Sequence, residues 1–151
     1  MENSDDFIVI TVNGPDAPGI VSSITSILSE NAVKIIDIEQ IVIRKLILLS
    51  MMLDLRESKG GQISLLKDLL LEAKRLNVEL DFKIASYDEH LQHDNNFMYA
   101  VTCLGEKITA QVVAQISNAI YSENVNIERI TQLSQGELSY IEMIVKTDKT
   151  I

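Results

Sequence analysis

Apolar and polar positions alternate along this chain in two rhythms. Phe7 to Val12 (FIVITV) is an apolar, β-branched run of the kind that forms a buried strand. From Gly19 to Leu28, Ile20, Ile24, Ile27 and Leu28 recur at i, i+4, i+7 and i+8, which predicts a helix. Ser22, Ser23, Thr25 and Ser26 fill its other face. Val33 to Ile43 (VKIIDIEQIVI) alternates imperfectly and sets Val33, Ile35, Ile38 and Ile41 against Lys34, Asp37 and Gln40. Arg44-Lys45 predicts a hairpin turn into a strand over Leu46 to Leu55, and Glu57 to Gln62 predicts a loop. Leu65, Leu66, Leu69, Leu70, Ala73 and Leu76 then mark a helix over Ile63 to Leu76, and Val78 to Ser86 alternates as a last strand. Up to residue 87 the order is βαββαβ.

Tyr87 to Asn96 (YDEHLQHDNN) is polar and acidic, and after it the pattern begins again. Phe97 to Leu104 predicts a strand. Thr109 to Ser122 predicts a helix with Val112, Val113, Ile116 and Ile120 inward. Val125 to Leu133 and Leu138 to Val145 predict two further strands, with Gln135-Gly136-Glu137 as the turn between them. Ser29-Glu30-Asn31 before AVKI and Ser122-Glu123-Asn124 before VNI share a phrase, so the chain is an internal repeat. The expected organisation is a first domain over 1–88, a linker over 89–96 and a second domain over 97–151. The second copy supplies only βαββ. A sheet buries its apolar face against helices, so a copy short of one helix leaves apolar surface exposed. The expectation is the front part of a longer protein.

Composition narrows the partners. The chain has 151 residues, 46% of them hydrophobic and 23% charged, enough apolar content for a real core. The net charge of −9 argues against nucleic acid, which needs a basic face, and against an anionic membrane. The single cysteine, Cys103, allows no intramolecular disulfide, and the acidic N-terminus lacks the apolar core of a signal peptide. A cytoplasmic protein is expected.

The candidate chemistry gathers at VNGPDAPGIVSS, Val12 to Ser23. Gly14-Pro15 reads as a turn, and Pro18 falls at the expected first helical position, where its missing amide hydrogen costs nothing. Gly19 beside it has no Cβ, and exposed amides at a helix start favour a carboxylate or phosphate. Asp16 either holds a ligand's ammonium group or caps the helix. Gly19 either admits a ligand to the backbone or allows close packing of helix on strand. His90 and His93 share a helical-turn spacing, but two ligands do not close a metal site. Met51, Met52 and Met143 are expected to fill core.

GPDxPG after a strand, then a helix and VxIxDIxQ, in a βαββαβ order resembles the ACT family of small-molecule-binding regulatory domains. GPDAPGIVSSITSILSE, IIDIEQIVIRKLILLSMML, YAVTCLGEKITAQ and VNIERI together resemble the tandem ACT regions that precede the catalytic domain of bacterial phosphoserine phosphatases. The likeness runs from Phe7 to Val145. It implies an α+β fold of tandem ferredoxin-like βαββαβ units with antiparallel sheets, the second truncated to βαββ, packed side by side as a pseudo-dimer. It further implies that the loop positions Asn13, Gly14, Asp16, Pro18 and Gly19 bind a free amino acid where two units pair. An amide side chain from the start of the second strand often assists. Lys34 holds that place in the first unit, departing from the usual Asn, and Asn126 in the second. The second unit's Gly105-Glu106-Lys107-Ile108-Thr109 has no Pro-Gly, and Thr109 reads as an ordinary N-cap. Asp37 and Gln40 either face a neighbouring unit or stand on an exposed strand face.

No DxDxT/V strand, Walker loop, HExxH or GxSxG stands in the chain, so it is not expected to be an enzyme by itself. Mg²⁺ is expected only in a phosphatase domain C-terminal to it. The resemblance implies a region that senses a small amino acid, with L-serine the first choice, and forms homo-oligomers. The alternatives are a pure assembly module and the ACT region of another amino-acid or folate enzyme, such as formyltetrahydrofolate deformylase.

Overall fold

The computed structural model describes residues 6–85 and 96–150. His90, His93 and the linker expected over 89–96, apart from Asn96, lie outside the described residues. The chain divides into two compact units, residues 1–87 and 88–151.

The first unit runs β1 (Phe7–Pro15), α1 (Ile20–Glu30), β2 (Lys34–Ile43), β3 (Leu46–Asp54), α2 (Gly61–Arg75) and β4 (Glu79–Ile84). Its strands form one antiparallel sheet in the order β2-β3-β1-β4, the ferredoxin-like arrangement. Residues directly opposite across antiparallel strands point to the same side. Ile8, Ile10 and Val12 of β1 and Leu49, Met51 and Leu53 of β3 therefore share one face, and all are buried. Ile20, Ile24 and Leu28 of α1 and Leu65, Leu66, Leu69 and Ala73 of α2 cover that face and complete the core. The other face of the sheet is open.

The second unit runs β5 (Phe97–Gly105), α3 (Ala110–Ser122), β6 (Asn126–Gln135) and β7 (Leu138–Thr147), with an antiparallel sheet in the order β5-β7-β6. Ile141, Met143 and Val145 of β7 are buried. α3 buries no residue: Val112, Val113, Ile116 and Ile120 are only half-buried. α3 is the one described helix of this unit, and Met98, Leu104, Leu133 and Leu138 are exposed.

The imperfect alternation of β2 has a structural cause. Its register slips between Ile35 and Asp37, so Ile36 is an extra, bulged residue. Beyond the bulge every side chain changes face. Ile38 and Gln40 stand on the helix side with Ile35, while Asp37 and Ile41 stand on the open face. This corrects the predicted face, which grouped Ile41 with Ile38 and Gln40 with Asp37. β6 slips at the corresponding place, between Ile127 and Arg129, so the repeat extends to the backbone irregularity.

The three helices of the described residues end alike. The residue after each cap, Ala32, Asn77 and Asn124, has φ of 53°, 57° and 56°. The next amides, from Val33, Val78 and Val125, donate back to the carbonyls of Leu28, Ala73 and Ile120, a Schellman closure each time. Structurally Ala32 therefore matches Asn124. The shared phrase Ser-Glu-Asn lies one residue out of register with the repeat it reveals.

Candidate functional site

The junction between β1 and α1 is built differently from its sequence reading. β1 does not turn at Gly14-Pro15. It continues through them, with Gly14 opposite Ile47 and Pro15 opposite Leu46, and the Asp16 amide donates to the Lys45 carbonyl at 2.8 Å. Proline is tolerated here because it closes the strand and leaves no interior ladder bond unmade. Pro18 is not at the first helical position either. α1 begins at Ile20 with Gly19 as its N-cap, and Pro18 lies in the turn before it. The chain enters the helix through Gly19 at φ 92°, a conformation that favours glycine.

That geometry decides between the alternatives for two residues. A Cβ on Gly19 would meet only Ser22 Oγ, at 4.0 Å, so close packing on a strand is not what requires glycine there. Conformation requires it, and the space over the backbone is open. No side chain caps α1, and its first turn holds no acidic residue. Among the described residues the exposed Asp16 carboxylate has no hydrogen-bond or ion-pair partner, so it does not cap the helix. The second unit does cap its helix: Thr109 Oγ1 accepts from the Val112 amide at 3.3 Å.

Gly14 has a different role. Its missing Cβ would lie 3.1 Å from both Cα and Cγ1 of Val78 and 3.3 Å from the Asn77 carbonyl oxygen. The glycine lets the loop from α2 to β4 press against β1. Beside that contact is an open cavity of about 560 Å³, lined in part by Asn13, Gly14, Pro15, Lys74, Asn77 and Glu79. The predicted residues Asn13 and Gly14 line it; Asp16, Pro18 and Gly19 do not. Sequence reading missed Lys74, Asn77 and Glu79, because only the fold brings the end of α2 to the end of β1.

Lys34 is not brought to this junction. It pairs with Asp54, which also pairs with Phe7 at the opposite end of β1 from Gly14. Seven residues of strand correspond to about 23 Å. Lys34 instead lines a second cavity, of about 400 Å³, with Asp54, Arg56 and Glu57. There the Arg56 guanidinium donates through Nε at 3.0 Å and Nη2 at 2.8 Å to the two Asp54 oxygens and lies 5.0 Å over the Phe7 ring. These bonds hold the Asp54 carboxyl below its usual range, against the opposing effect of burial. Asn126 opens β6, and its amide donates to Glu128 Oε1 at 2.9 Å. Asp37 and Gln40 are exposed on opposite faces of β2. Among the described residues no three His, Cys, Asp or Glu side chains gather as a metal site, and no helix is long and apolar enough to cross a membrane.

The first unit is a βαββαβ sheet-and-helix layer whose first helix starts uncapped behind Pro18-Gly19, and comparison with known proteins assigns its family. The chain belongs to the ACT domain family, whose model matches residues 6–83. A UPF0237 protein of Methanococcus maripaludis is 34% identical over 99 residues, covering 66% of this chain and 96% of its own length. The phosphoserine phosphatase SerB2 of Mycobacterium tuberculosis is 26% identical over 138 residues, 91% of this chain. The chain spans only 33% of that phosphatase. The crystal structure of an unknown protein from Galdieria sulphuraria superimposes with a TM-score of 0.75 at 14% identity, covering 95% of this chain and 82% of that one. Both units thus share an α+β ferredoxin-like fold with antiparallel sheets, and the family match itself covers the first unit.

Proposed function

We propose that this chain is a regulatory region that binds a small free amino acid, L-serine first, at the junction between β1 and α1. The observation that carries the reading is the pairing at that junction of a partnerless carboxylate with an uncapped helix start. The open backbone at Gly19 offers amides and the positive end of the α1 dipole to a ligand carboxylate. Asp16, three residues earlier, offers a counter-charge to the ligand ammonium. Two opposite charges at this spacing suit a zwitterion better than a phosphate, which Asp16 would repel. Lys34 and Asn126 would contribute only where the start of their strand meets the junction of another copy.

Regulation would follow from differential binding: the ligand stabilises whichever arrangement completes its site, by no more than its affinity difference between states. The alignment of nearly the whole chain with one third of a phosphoserine phosphatase supports a place beside a phosphatase domain, where serine would report on the product. The UPF0237 relative, matched over almost its full length, favours a second reading as an ACT protein without a catalytic partner. The mass of the protein in its own cells separates the two, since 16.9 kDa is the mass of this chain alone.

Thermal unfolding in the presence of glycine, alanine and serine tests the binding. At about 100 times its dissociation constant a ligand adds about 2.7 kcal/mol, a rise of several degrees. A rise with serine that disappears in Asp16→Ala supports the reading. No rise with any amino acid contradicts it.

A further inference from the structure

The cavity lined by the ends of β1, α2 and β4 includes neither Asp16 nor Gly19 and has no part in serine binding at the junction. Its floor is apolar. Ala73 and Val78 are buried there, Leu80 is half-buried, and Leu70 forms a lip that is 43% exposed. Its rim is polar. Asn13, Lys74, Asn77 and Glu79 are exposed, and among the described residues none of these side chains has a hydrogen-bond or ion-pair partner. At about 560 Å³ the cavity falls within the range of about 300–1,000 Å³ for small-molecule sites, which join an apolar lining to a few polar groups.

We propose that this cavity is a second ligand site, for an amino acid with an aliphatic side chain of leucine size. Charge complementarity selects that class. Lys74, in the last turn of α2, supplies the counter-charge to a carboxylate, whereas its neighbour Arg75 is already paired with Glu72. Glu79 supplies the counter-charge to an ammonium group. It stands directly opposite Asn13 across β4 and β1, so the Asn13 amide oxygen can accept from the same group. The negative end of the α2 dipole favours a cation at this end of the helix as well.

A ligand with a single charge leaves either Lys74 or Glu79 without a counter-charge. A ligand without an apolar body leaves Leu70 and Leu80 in water. An aliphatic zwitterion satisfies both the rim and the floor. Serine fits worse, because its hydroxyl would lie against apolar side chains with no partner. The site shares no residue with the proposed serine contacts at Asp16 and Gly19, so the two proposals stand or fall separately.

Titration of the ¹⁵N-labelled full chain with L-leucine tests it. Saturable shifts of the Lys74, Asn77, Glu79 and Leu80 amides are expected, with the Gly19 and Ile20 amides unmoved. Isocaproate lacks the ammonium group of leucine and isoamylamine lacks its carboxylate. Each should bind about tenfold more weakly or worse, since each leaves one charge unmatched. Glu79→Gln and Lys74→Gln should weaken leucine to a similar extent, and Leu70→Ser by about fivefold. All three changes are at exposed positions, and an otherwise native spectrum verifies the fold. The inference is overturned if leucine leaves these amides unmoved, if isocaproate or isoamylamine binds as well as leucine, or if serine does. Serine shifts at Gly19 and Ile20 without leucine shifts at Glu79 would sink this site and leave the junction. The reverse result would sink the junction and leave this site.

Discussion

Gly14 passes Val78 so closely that a single methyl group on it would lie 3.1 Å from the Val78 Cα. The strand that leads to the candidate site is thus held by a contact only glycine permits. Gly14→Ala should destabilise the fold by about 1–3 kcal/mol, through crowding against the Val78 backbone added to the penalty of a side chain at φ 152°. Gly19→Ala meets nothing closer than 4.0 Å and should cost only the conformational penalty, about 1–2 kcal/mol. Urea unfolding of the two variants checks the order. Equal costs would mean that the loop after α2 moves aside.

Ala32 holds a left-handed conformation that the ends of α2 and α3 give to asparagine, at Asn77 and Asn124. Ala32→Gly should stabilise the protein by about 0.5–1 kcal/mol, and Ala32→Asn nearly as much. Asn124→Ala should have the opposite sign. Thermal melts resolve these differences, since 1 kcal/mol corresponds to about 2–4 °C for a chain of this size.

Asp54 gives the fold an acid limit. Its folded carboxyl titrates below the ordinary value of 3.8 because Arg56 hydrogen-bonds the charged form. A depressed carboxylate contributes stability at pH values above its unfolded pKa, and that stability is lost as pH falls through the folded value. The native chain should therefore lose stability on acidification below about pH 4 more steeply than Asp54→Asn does. At pH 7, Arg56→Ala should cost about 1 kcal/mol, because the guanidinium is itself half-exposed and partly screened by water. Urea midpoints measured from pH 7 to pH 2 check both.

Much of the fold was legible because helices and strands with one buried face write their period into the chain. The stripes of α1 and α2 and the hairpin at Arg44-Lys45 follow the sequence pattern. The face of Ile41 was not legible, since the bulge at Ile36 inverts the alternation midway along β2. At the site, the concentration of glycine and proline marked the right junction but not its geometry. Pro18 lies ahead of the helix, and Gly14 serves packing against Val78. Lys74, Asn77 and Glu79 reach the same end of the sheet only through the tertiary path of α2 and β4, which no local pattern records.

A zwitterionic amino acid bridging the start of α1 and Asp16 is the proposal on which the function rests. Titration of the ¹⁵N-labelled chain with L-serine reads those positions one by one. Saturable shifts of the Asp16, Gly19, Ile20 and Val21 amides are expected, absent in Asp16→Ala while its remaining spectrum stays native. An unchanged spectrum, or shifts confined to Lys74, Asn77 and Glu79, would contradict it.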